Sequence, residues 1–171
     1  MRYPRPSIED IELGYRLRAA GGRIRLAAEV QGTHLKVWTL RGLLTTEIRD
    51  RALPWSFLLL GRGYAGDELN IAMTERIRAL IACLCALFIV TSFVGLTSWW
   101  MPISLLGMAF AANLELFALF LRRNGLLFAH GGLLFHQFYY LYSTAAYYWC
   151  WAVTKGQRFI PNRFHRSLHL E

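Results

Sequence analysis

Glu9 and Asp10 stand side by side in the stretch SIEDIELGYRL, which reads as the start of a helix. An acidic pair held by the backbone suits general-base chemistry. An ionised carboxylate within about 3 Å of an alcohol takes its proton as the oxygen attacks. Asp10 is the candidate base and Glu9 its neighbour. The spacing also has a plainer use: Ser7-x-x-Asp10 fits a capping box, and the helix dipole favours acids near a helix start. His34 can ligate a divalent metal or touch a phosphate, and Lys36 can meet a diphosphate as a point charge. Each is equally readable as an ordinary polar residue with its hydrogen bonds satisfied. Glu115 lies in an otherwise uncharged run, where a carboxylate is costly and so faces protein or water. It either lines a path for a polar substrate or pairs with Arg122. His130 and His136, six residues apart, do not share one helix face and read as interfacial polar residues. The sequence holds no Gly-rich phosphate loop, GxSxG, HExxH or Cys-His nucleophile arrangement.

The elements that position these residues change character along the chain. Residues 1–50 carry nine Lys or Arg and six Asp or Glu, a mixture typical of soluble domains. From Ala79 to Leu121 the one charge is Glu115, and from Asn124 to Thr154 there is none. The net charge of +8 sits at the borders of the apolar runs, where anionic head groups attract cations. That placement favours membrane lipids as partners and argues against nucleic acid. Cys83, Cys85 and Cys150 lie inside apolar runs without CxxC spacing, so they read as buried free thiols.

In chain order, a helix from Ser7 carries one apolar stripe of Ile8, Ile11 and Tyr15 and another of Leu13, Leu17 and Ala20. Gly21-Gly22 ends it. Arg23 to Ala28 alternates as a short strand, and Val30 to Trp38 reads as a loop and second strand. Residues 51–75 read as an interfacial helix and linker, with arginines beside Leu53, Trp55 and Phe57. Residues 76–154 read as about three transmembrane helices: Ala79–Leu96, Ile103–Leu121 and a longer run from Gly125 to Val153. A re-entrant or interfacial start near LLFAHGGLLFH would settle the third run's conflict with the basic tail, residues 155–171.

The stretch PSIEDIELGYRLRAAGGRIRLAAEVQGTHLKVWTL resembles the C-terminal end of the catalytic domain of family 2 glycosyltransferases. The features in common are Glu9-Asp10, Leu13-Gly14, Arg16-Leu17, Gly21-Gly22 and His34, and the RDRALPW segment is similar to the family's membrane-proximal helix. The resemblance implies an α/β fragment of a GT-A nucleotide-sugar transferase followed by membrane helices. It implies inverting transfer from a nucleotide sugar to a lipid-linked or polysaccharide acceptor, with a divalent metal, Mg or Mn, in the complete enzyme. Asp10 would be the base, with Glu9 supporting the loop or the metal. His34 and Lys36 would lie near donor or metal, and Trp38 would contact acceptor. The family's Arg before that Trp is Val37 here. No Asp-x-Asp motif is present, so the chain is expected to be a fragment, inactive by itself, in a bacterial inner membrane with its N-terminal part cytoplasmic. A non-catalytic membrane scaffold subunit and a small transporter component are the competing readings.

Overall fold

The computed structural model describes residues 8–25, 27, 29, 30, 32, 37–62 and 72–158. Every regular element among them is helical. The chain divides into two compact units, residues 1–63 with 146–171 and residues 64–145.

The first unit begins with α1, Glu9–Ala19. Its stop is written in the two glycines that follow. Gly21 takes φ 82°, a conformation that costs a Cβ-bearing residue energy. The amide of Gly22 then reaches Leu17 O at 2.8 Å, and that of Gly21 reaches Arg18 O at 3.0 Å. These two bonds satisfy carbonyls that the helix end would otherwise orphan. Of the two apolar stripes, the first is covered: Tyr15 is buried and Ile8 and Ile11 are half-buried. Leu13 and Leu17 remain 43% and 47% exposed.

The expected α/β character is not found. Arg23, Ile24, Arg25 and Ala27 form no strand, nor do Val30, Gly32, Val37 and Trp38. Arg25 Nη2 lies 3.9 Å from Glu29 Oε1, whereas residues four apart on a strand are separated by roughly 13 Å. The Val30 amide turns back to Ala27 O at 3.1 Å. Alternation over six residues is a weak signal, and without a neighbouring strand the backbone bonds locally instead.

A helical stretch follows, α2 (Leu40–Thr45), a π-helical turn (Thr46–Ala52) and α3 (Leu53–Arg62). Thr39 caps it, its hydroxyl accepting from the Gly42 amide at 3.1 Å. Pro54 accounts for the π-helical turn. Its ring would collide with the carbonyl four residues back, and it has no N–H to donate there. Widening the preceding turn relieves the collision, and the Leu53 amide bonds Ile48 O, five residues back. The interfacial helix expected over this segment is therefore a helix, interrupted where its proline demands. In the same unit Cys150, fully buried, donates its thiol to Leu53 O at 3.7 Å.

The second unit is built on α4, Met73–Phe93, and α5, Trp100–Ala112. A tight turn joins them: the Leu96 amide reaches Thr91 O at 2.9 Å, and Thr91, Ser92 and Thr97 share hydroxyl bonds of 2.8 and 3.0 Å. The two helices pack antiparallel, and the Cys85 thiol meets Pro102 O at 3.6 Å. Last comes α6, Leu114–Arg158, with a non-helical break at Gly125 (φ 84°, ψ 177°). A straight helix would hold Phe120 and Gly132 roughly 18 Å apart. A Cβ on Gly132 would instead stand 2.9 Å from the Phe120 ring. Phe117 and His130 rings lie 5.1 Å apart, and Phe120 and Phe128 rings 5.5 Å. Gly125 thus reverses the chain, and the short first arm of α6 lies back along its long second arm.

Three membrane-crossing helices are not supported. Among the described residues one helix, Met73–Phe93, is long and apolar enough to cross a membrane, and α5 with α6, bent by 71° at Asn113, makes a second only if taken together. In α4, 17% of the apolar stretch is buried, so Leu80, Leu87, Val90 and Phe93 point outward. The continuous Ile103–Leu121 span is broken at Asn113, and the Gly131-Gly132 pair leaves the long arm of α6 unbroken.

Close packing at Gly132 has a measurable consequence. Gly131 has open space around a Cβ, whereas Gly132 faces the Phe120 ring. Gly132→Val is expected to destabilise the protein by about 1–3 kcal/mol more than Gly131→Val, the usual cost of overpacking. Thermal unfolding in detergent checks this difference.

Candidate functional site

The break at Asn113 assembles a polar cluster in the second unit. The Asn113 amide N–H bonds Phe110 O at 3.0 Å, three residues back, leaving Ala109 O without its helical partner. The side chain replaces that bond, Nδ2 donating to Ala109 O at 2.8 Å. Asn113 is 2% exposed, and the substitution keeps a buried carbonyl satisfied. Its Oδ1 then faces Tyr140, whose hydroxyl lies 3.3 Å away.

Tyr140, 3% exposed, sits at the centre. Its hydroxyl donates to Glu75 Oε2 at 2.8 Å, the shorter of its two acceptor contacts. His136, one turn earlier on α6, brings Nε2 to 3.1 Å from the same oxygen. The His136 ring stacks on Tyr139 at 5.3 Å and meets the Tyr140 ring edge at 4.7 Å. Glu75 Oε1 is held by Arg78 Nη1, one turn along α4. A charge-assisted pair and a phenol bond therefore hold the Glu75 carboxylate. Glu75, Arg78, Asn113, Glu115 and His136 line an open cleft of about 380 Å³.

Of the residues singled out in the sequence, Glu115 lines this cleft and His136 belongs to the cluster itself. Glu115 is exposed and makes no ion pair with Arg122. Asp10 and Glu9 stand exposed in the first turn of α1, and Asp10 Oδ1 accepts the Ile11 amide at 2.8 Å. Ile8 is the residue preceding the helix, and its own side chain makes no capping bond; Ser7 lies outside the described residues. Trp38 is 40% exposed, immediately before the cap of α2. His34 and Lys36 lie outside the described residues. The His34 metal assignment therefore has no described geometry, and among the described residues no three of His, Cys, Asp and Glu stand together to hold a metal ion.

Sequence reading missed Glu75, Arg78, Asn113 and Tyr140, and took His136 for an interfacial residue. The i, i+4 spacing of His136 and Tyr140 was a usable signal. Nothing local ties Asn113 to Tyr140, 27 residues on.

Tyr140→Phe removes one hydroxyl that serves both Glu75 and His136. The expected loss is about 1–3 kcal/mol, the cost of leaving buried polar groups unpaired. Thermal unfolding in detergent, beside the wild type, measures this loss. In comparisons with known proteins, no family model, curated protein or solved structure matches the chain.

Proposed function

We propose that these residues are the membrane-bound C-terminal part of an inverting glycosyltransferase, which moves a sugar from a nucleotide-sugar donor to a lipid-linked or polysaccharide acceptor. The observation that carries the reading is α1 itself. It presents the acidic pair exposed in its first turn, in the ordered setting Glu9-Asp10, Leu13-Gly14, Arg16-Leu17. The same helix leaves Leu13 and Leu17 open, an apolar stripe suited to cover by a donor-binding half.

In this reading Asp10 takes the proton of the acceptor hydroxyl as that oxygen bonds the anomeric carbon. The bond to the nucleoside diphosphate breaks on the opposite face, and the leaving group keeps the electron pair. The nucleotide sugar and the divalent metal belong to the donor-binding half. Among the described residues no three of His, Cys, Asp and Glu stand together to hold the metal. In this reading the protein is a multi-pass protein of the bacterial inner membrane. Arg76 and Arg78 lie in the first turns of α4, ahead of its apolar stretch, and Arg122 and Arg123 lie at the α6 turn; cations of this kind favour the cytoplasmic side. The N-terminal segment then works in the cytoplasm, where nucleotide sugars are made.

In the complete enzyme, Asp10→Asn is expected to lower turnover by at least ~10²-fold, the usual worth of a general base, with donor affinity unchanged. Steady-state turnover and donor titration separate the two quantities. Retained turnover would reject Asp10 as the base. The 171 residues alone are expected not to bind a UDP- or GDP-sugar at micromolar concentration.

A further inference from the structure

The cleft of the second unit has two acceptors that no described residue serves. Glu75 and Arg78 neutralise each other across their ion pair. Glu115 is exposed on the cleft wall, and its carboxylate has no bond or ion pair to any described residue. The tautomer of neutral His136 follows from its neighbours. Tyr140 has one proton, and it lies on the bond to Glu75. The contact between His136 Nε2 and the Tyr140 oxygen therefore requires the proton on Nε2. In the neutral ring Nδ1 is then a bare acceptor, and no described residue donates to it. The cleft thus holds one uncompensated negative charge and two acceptors. Leu116 and Leu119 give it an apolar wall.

We propose that this cleft binds a primary ammonium group, with Glu115 and His136 Nδ1 accepting its N–H bonds and Leu116 and Leu119 lying along its carbon stem. A carboxylate beside hydrocarbon is costly unless paired, and an ammonium supplies both the missing charge and the missing donors. A quaternary ammonium supplies the charge without N–H donors, so the site discriminates against it. The cleft of about 380 Å³ is at the small end of ligand sites, matched to a small head group or a free amine. The inference is independent of the glycosyl-transfer reading, and Asp10→Asn leaves it unaffected.

The test uses the full chain purified in detergent. Native mass spectrometry compares retention of phosphatidylethanolamine with that of phosphatidylcholine bearing the same acyl chains. A second arm titrates the lipid-free protein with ethanolamine and with choline by calorimetry. The expected result is a preference of about tenfold for the primary amine in at least one arm, the worth of a charge-assisted hydrogen bond. Preference in the lipid arm alone identifies a membrane head group as the source, and preference in the calorimetric arm identifies a free amine. Glu115→Gln and His136→Phe should each bring the ratio to within about twofold, on the same hydrogen-bond reckoning. Glu115 is exposed, so Glu115→Gln should melt with the wild type and report binding alone. Equal affinity for primary and quaternary amines in both arms, or a preference that survives Glu115→Gln, would overturn the proposal.

Discussion

The second unit depends on one phenol. Tyr140 donates to Glu75 on α4, accepts from His136 on its own helix and lies against Asn113 at the break after α5. These contacts join positions 65 and 27 residues apart in one buried node. Such a node is valuable where the outer surface is apolar. If α4 faces lipid, the hydrophobic effect does not drive the helices together, and polar bonds between them supply specificity. The same node fixes the His136 tautomer and the orientation of Glu75, and so sets which groups the cleft leaves unpaired.

Geometry around the node follows from two local choices. Asn113 ends α5 because its side chain can take over a carbonyl that the backbone abandons. Gly125 then reverses the chain at a backbone angle that glycine accepts without strain. The first arm of α6 returns along the second, and Gly132 admits the Phe120 ring between them. Glu115, in the first turn of the short arm and two residues after Asn113, stands at a cleft that this reversal completes with His136.

The parts legible in the sequence were those with local causes. The Gly21-Gly22 stop of α1, the long apolar α4 and the helix around Leu53 to Leu60 all follow from residues within a few positions of each other. The three cysteines are free; Cys85 and Cys150 are buried, as their apolar settings indicate, whereas Cys83 is only half-buried. The strands expected from Arg23 to Trp38 did not appear among the described residues, because alternation fixes a strand only when a partner strand exists. The unbroken span through Ile103–Leu121 failed because hydropathy does not register a helix-ending asparagine. Glu115 was found because a charge in an apolar run is conspicuous. Its cleft partners were not, because contacts across 27 or 65 residues leave no periodic trace. Asp10 remained where its helix start places it, in water.

The central claim is that the Tyr140–Glu75 bond couples α6 to α4. A double-mutant cycle of Tyr140→Phe and Glu75→Gln, read by unfolding of the full chain in detergent, measures that coupling directly. The account predicts an interaction energy of about 1 kcal/mol or more, as expected for groups sharing one buried network. Additive losses, with coupling near zero, would contradict it.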